Sequence, residues 1–161
     1  MTEKYKTASE NLARAIDISI DVIQKFPPQE WVEHYVTKDK NQITHFIDLK
    51  REWKEDALKP ELRFANMQSL NYTIEAVFIY FQEGHGEFVE EFWKEIKAQN
   101  LPYKRENKMV KILKRKKINN IHEYNFVIDV IVPYQQEKLI NTEEVALLND
   151  LILEFENRKK K

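Results

Sequence analysis

Eight of the fourteen residues from 104 to 117 are lysine or arginine, and only one is acidic. On a helix, Lys104, Lys108, Lys111 and Arg115 fall at i, i+4, i+7 and i+11, with Lys114 beside them. Met109, Ile112 and Leu113 take the opposite side and Val110 its margin. Such a helix buries one face and presents a cationic stripe on the other. A stripe of this kind attracts a polyanion, because neutralising the partner's charges releases condensed counterions. Tyr103 and Tyr124 stand nearby in the sequence, where they could stack on unpaired bases. The competing reading is a solvated face balanced by acidic neighbours. Lysine outnumbers arginine 20 to 6 in the chain, and arginine has the better phosphate geometry. The expected binding residues are therefore Lys104, Lys108, Lys111, Lys114 and Arg115, and the expected partner is a nucleic acid or an acidic protein.

The four histidines offer acid–base or metal chemistry, but none stands in an H-E-x-x-H or H-x-x-x-H pattern. Glu30 and His34 lie one helical turn apart, and Glu83, His85 and Glu87 bracket a glycine turn. An exposed His85 and a Glu87 that favours a helix N-terminus account for the second group without a ligand. Glu52 with Glu55 and Glu87 with Glu90 are carboxylate pairs at i, i+3. They resemble the paired acidic helices with which all-α nucleotide pyrophosphohydrolases hold magnesium. The second pair in that family ends in Asp where this chain has Glu90, and the interval between the pairs is longer here. Arg115 and His122, with six residues between them, resemble the Arg…His motif of HEPN-type ribonucleases, which are helical bundles. That likeness spans eight residues, with Lys116 in the place of the polar residue that usually follows the arginine. It implies a phosphate-stabilising Arg115 and an acid–base His122 in RNA cleavage. No Ser-His-Asp order and no G-x-S-x-G elbow is present. The expectation is a binding module with no catalytic residue, metal or cofactor; the alternatives are a protein–protein interaction or regulatory module and a ribonuclease or metal-dependent nucleotide hydrolase.

Composition narrows the choices. There are two glycines, both in Gly84-His85-Gly86, and no cysteine. That removes phosphate-cradling Gly-rich loops, dinucleotide turns, disulfides, thiol catalysis and Cys-based zinc sites. Net charge is −1 overall, but residues 1–103 carry −5, residues 104–117 carry +7 and residues 118–161 carry −3. Hydrophobic residues make up 42% of the chain, enough for a core. The first six residues show no charged-then-apolar signal pattern, and no apolar run reaches the ~18 residues of a membrane span. A cytoplasmic protein without membrane contact is expected.

The elements that must position these side chains read as helices. Tyr5, Ala8, Leu12, Ile16, Ile20 and Ile23 recur at helical spacing over 3–25, and Pro27-Pro28 stops them. Pro28 opens a short helix to Tyr35 or Val36. Ile43, Phe46, Ile47, Lys50 and Trp53 give 41–57 a weaker stripe. Helical spacing continues from Pro60 to Gln82. Gly84 fits the left-handed position past a helix end, and Gly86 an N-cap. Phe88, Val89, Phe92, Trp93 and Ile96 mark 87–99, and the basic segment 105–117 follows. Asn120 with Glu123 and Asn141 with Glu144 are capping patterns that open helices over 121–132 and 142 onward. The fold expected is mainly α, a single-domain helical bundle over 1–161 of about six to seven helices, with 158–161 a basic C-terminal tail. The alternative is α+β, with strands near 73–81 and 126–132, where β-branched and aromatic residues crowd together.

Overall fold

The computed structural model describes residues 1–159. Among them are eight α-helices, one turn of 3-10 helix and no strand. They fall into two compact units, one formed by residues 1–82 and 86–104, the other by residues 83–85 with the chain from 105 onward.

In the first unit, α1 (Glu3–Lys25) starts where the Thr2 hydroxyl accepts the Tyr5 amide at 3.1 Å. It ends at Phe26, ahead of the proline pair. The helix α2 is one turn, Gln29–Glu33, shorter than Pro28 alone suggests, because Tyr35 leaves it to bridge Asn41. Asn41 caps α3 (Gln42–Leu58) by accepting from the Thr44 amide at 2.9 Å. The stretch expected to run unbroken from Pro60 breaks into a 3-10 turn, Leu62–Phe64, and α4, Met67–Glu83. Asn66 makes the break by accepting the Ser69 amide at 2.9 Å, a side-chain cap for α4. Next, α5 covers Glu87–Ala98.

The segment 73–81 is helical, so the strand alternative fails there. Val77, Phe78 and Phe81 are buried at helical spacing, and packing overrides their β propensity. Phe81 stacks on Phe92 of α5 with ring centroids 3.7 Å apart. The Trp93 indole donates to the Phe81 carbonyl at 2.8 Å. In turn, α1 packs against α3 and α5, with Leu12, Ile16 and Ile23 fully buried. The left-handed backbone sits at Gly86 (φ 110°), not at Gly84 as the turn sequence suggests. Gly86 needs it to lead directly into α5.

The second unit holds α6 (Val110–Arg115), α7 (Ile121–Gln136) and α8 (Thr142–Lys159). Both capping patterns form. The Asn120 side chain accepts the Glu123 amide at 2.9 Å. Asn141 and Glu144 exchange side-chain-to-amide bonds of 2.8 and 3.0 Å. The segment 126–132 is helical too, and α7 passes through Pro133 rather than ending before it. Proline within a helix forfeits one backbone bond; burial of Pro133 and Tyr134, in register with Val127 and Val130, holds the helix together. Met109, Ile112 and Ile118 join those residues and Leu148 and Leu151 in this core. The basic run at 158–161 begins inside α8, where Arg158 donates to the Ile118 carbonyl at 2.6 Å. Residues 160–161 lie outside the described residues. Among the described residues no helix is long and apolar enough to cross a membrane.

Candidate anion-binding surface

The helix expected over 105–117 forms only over Val110–Arg115, so the cationic side chains do not share one continuous helical stripe. The cause is a set of tertiary bonds that hold 105–108 in another shape. The Arg105 side chain is only 5% exposed, and it pairs with Glu137 at 2.6 Å. It also donates to the Gly84 carbonyl at 2.8 Å and lies over the Tyr134 ring. The Tyr134 hydroxyl donates to the Glu106 carbonyl and accepts from the Lys108 amide. Burial pushes this phenol above its ordinary range. Asn107 donates to the Leu139 carbonyl and accepts the Met109 amide. A helix through 105–108 would break each of these bonds.

The five expected binding residues therefore separate. Lys104 is exposed at the end of the first unit, and its carbonyl accepts from Gln82. Lys108 pairs with Glu83 at 3.2 Å. Arg115 is closed by Glu123, which takes both terminal nitrogens, at 2.9 Å for the shorter contact. Glu123 also accepts the Asn119 amide at 2.8 Å, so Arg115 anchors the C-terminal end of α6 to the first turn of α7. Lys111 and Lys114 stay exposed and make no ion pair among the described residues.

Two lysines absent from the expected set join them. Lys116 (φ 57°) takes the left-handed position that ends α6, and Lys117 follows; both are exposed without an ion pair among the described residues. Met109, Ile112 and Ile118, all buried, point the segment's apolar side inward, and the lysines take the outward side. The sequence signal for the pair was the unbroken run 114–117, which extends past any one helical face.

The tyrosines nearby are engaged. Tyr124 stacks on Phe155 with centroids 5.0 Å apart. Its hydroxyl donates to Glu156 at 2.6 Å, a bond that, with burial, raises its pKa. Tyr103, in the first unit, lies 4.4 Å from Phe78, and burial pushes its hydroxyl up to about 12.

The other candidates disperse. Among the described residues no group of three or more His, Asp or Glu side chains could hold a metal ion. Glu30 with His34, Glu52 with Glu55, Glu87 with Glu90, and the group around His85 therefore build no such centre. His122 is exposed on α7, and the guanidinium of Arg115 is turned to Glu123. Among the described residues, Lys50 in α3 is a charged side chain only 4% exposed. Its ammonium lies 4.8 Å from the Phe46 ring and 4.3 Å from the Trp53 ring. Burial lowers its pKa to about 8.

No protein-family model matches the chain, and neither a curated protein nor a solved structure matches it.

Proposed function

We propose that this chain is a binding module that takes an anionic macromolecule on the lysines of residues 111–117. One observation carries the reading. Lys111, Lys114, Lys116 and Lys117 are exposed without ion pairs among the described residues, while Lys108 and Arg115 are neutralised by Glu83 and Glu123. Four like charges within seven residues repel one another, and an anionic partner relieves that repulsion. The buried Met109, Ile112 and Ile118 hold the segment that carries them, so little ordering entropy is lost on binding. A binding role also fits the engagement of Arg115, which leaves no free guanidinium beside His122 for phosphate chemistry.

Retention on immobilised heparin tests the proposal. Lys111→Glu, Lys114→Glu, Lys116→Glu and Lys117→Glu combined should abolish retention while leaving the helical circular dichroism spectrum unchanged. Lys108→Gln should shift elution slightly or not at all. Equal retention of the fourfold variant and the parent chain would defeat the proposal.

A further inference from the structure

An open groove of about 480 Å³ runs between α1, α4 and the Pro102–Tyr103 segment of the first unit. That volume lies inside the roughly 300–1,000 Å³ span of small-molecule sites. Its walls follow from helical spacing. Met67, Ile74 and Phe78 fall within an arc of about 40° on α4 at 100° per residue. Tyr103 covers Phe78, with ring centroids 4.4 Å apart, and Met67 and Ile74 are left only half-buried along the groove. Across from them, Lys4, Ala8 and Asn11 fall within about 60° on α1.

Two polar groups in these walls lack a partner. Asn11 and Tyr103 are half-buried, and neither the Asn11 amide nor the Tyr103 hydroxyl makes a hydrogen bond among the described residues. A polar group withdrawn from water without a partner carries a cost that a ligand's hydrogen bond removes. Burial pushes the Tyr103 hydroxyl up to about 12, so it stays protonated and can donate as well as accept. The Asn11 amide can do both too. The ionised residues of the groove are Glu3 and Lys4, exposed neighbours in the first turn of α1 whose opposite charges cancel. With no net charge to hold an ion, the groove favours an uncharged head group.

We propose that this groove binds a small neutral amphiphile, its head, a hydroxyl or primary amide, on Asn11 and Tyr103 and its aliphatic chain on Ala8, Met67 and Ile74. Met67 and Ile74 give the chain a flexible and a branched wall, while the Tyr103 ring already has Phe78 on one face. From Lys4 to Asn11, and from Met67 to Ile74, is about 10 Å of helix, which matches a chain of about eight carbons. The residues of this site belong to the first unit and the lysines of 111–117 to the second, so the proposal does not rest on the anion-binding reading.

The test is a titration of the full chain with octanol, followed by carbon–proton correlation spectra of the methyl groups. The Ala8, Met67 and Ile74 methyls should shift and saturate within the solubility of the alcohol, while those of the exposed Ile128 and Val132 stay in place. Octanoate, the same chain with a charged head, should bind at least about tenfold more weakly. Tyr103→Phe and Asn11→Ala each remove one partner of the head group. Each should weaken octanol about fivefold with an unchanged circular dichroism spectrum, and Tyr103→Phe also keeps the ring on Phe78. Equal affinity for octanol and octanoate, or unchanged affinity in both variants, overturns the proposal. Shifts that never saturate, or that spread equally to Ile128 and Val132, mean unspecific partitioning and overturn it as well. Movement of the groove methyls with protein concentration alone would do the same, because a second copy of the chain then fills the groove.

Discussion

Replacing Lys50 by methionine should stabilise the first unit at neutral pH. The side chain is 4% exposed and is absent from every ion pair and hydrogen bond described above. Burial brings its ammonium from 10.5 down to about 8, which at about 1.4 kcal/mol per pH unit puts the charged form at a disadvantage of about 3 kcal/mol. The faces of Phe46 and Trp53, at 4.8 and 4.3 Å, give back about 1–2 kcal/mol through cation–π attraction. Desolvation wins, so Lys50→Met, which keeps the stem and removes the charge, should gain about 1–2 kcal/mol at pH 7. The sign of the pH dependence follows from the lowered value. Between about 8 and 10.5 the unfolded chain holds a proton on Lys50 that the folded chain has released. Stability therefore rises with pH through that window. Above pH 10 the tyrosines oppose it, since Tyr103, pushed up to about 12, keeps its proton in the folded state. The assay is urea denaturation from pH 7 to 10, followed by tryptophan emission. Trp31, Trp53 and Trp93 all belong to the first unit, so the signal reports that unit. The parent chain should gain stability between pH 8 and 10, and Lys50→Met should not. A variant less stable than the parent by more than about 1 kcal/mol at pH 7, or one with the parent's pH slope, would refute the reasoning.

Three further substitutions probe the turns and the buried pair. Gly86→Ala should cost about 1–3 kcal/mol, because its φ of 110° is a glycine conformation. An added Cβ meets nothing within 4 Å, so the cost is conformational alone, and tryptophan-detected urea melts should register it. Lys116→Gly should raise the thermal midpoint of the helical signal, by about 0.5–1 kcal/mol in stability, since it relieves a lysine at φ 57°. A lower midpoint would mean that the lysine side chain supports α6. Glu137→Ala should cost about 3–5 kcal/mol by stranding the Arg105 charge. Arg105 is 5% exposed and its Nε has no hydrogen-bond partner in the fold, so it has little means of compensation. Loss of helical signal at lower urea is the readout.

The helices that sequence periodicity made legible are those whose apolar residues repeat without competition. In α1 the repeat from Tyr5 to Ile23 is bounded by Thr2 and Pro27, and in α5 the stripe Phe88–Ile96 is bounded by Gly86. Local signals at the ends, Asn120 with Glu123 and Asn141 with Glu144, also survive into the structure. The β-branched stretches 73–81 and 126–132 were ambiguous because helix and strand both bury a short apolar run. Partners distant in sequence decide them, Phe92 for Phe81 and Leu148 and Leu151 for the core that takes Val127 and Val130. The basic segment shows where local reading stops. Its helix starts at Val110 because Arg105 and Asn107 reach Glu137 and Leu139, 32 residues away. Which cations remain open was equally hidden, since Glu83 lies 25 residues from Lys108. Lys116 and Lys117 fell outside the expected set because helical geometry was extended to a stretch that turns left-handed at Lys116.

The central claim is that Lys111, Lys114, Lys116 and Lys117, and not Lys108 or Arg115, which Glu83 and Glu123 neutralise, meet an anionic partner. The most direct measurement is fluorescence anisotropy of labelled single-stranded RNA, used as a uniform polyanion, against the chain at a series of low salt concentrations. Four lysines on phosphates predict a slope of log affinity against log salt of about −3, at about 0.7 per contact. Reversing those four should bring the slope near zero, and Lys108→Gln should leave it unchanged. A slope that persists in the fourfold variant, or that collapses with Lys108→Gln instead, would contradict the account.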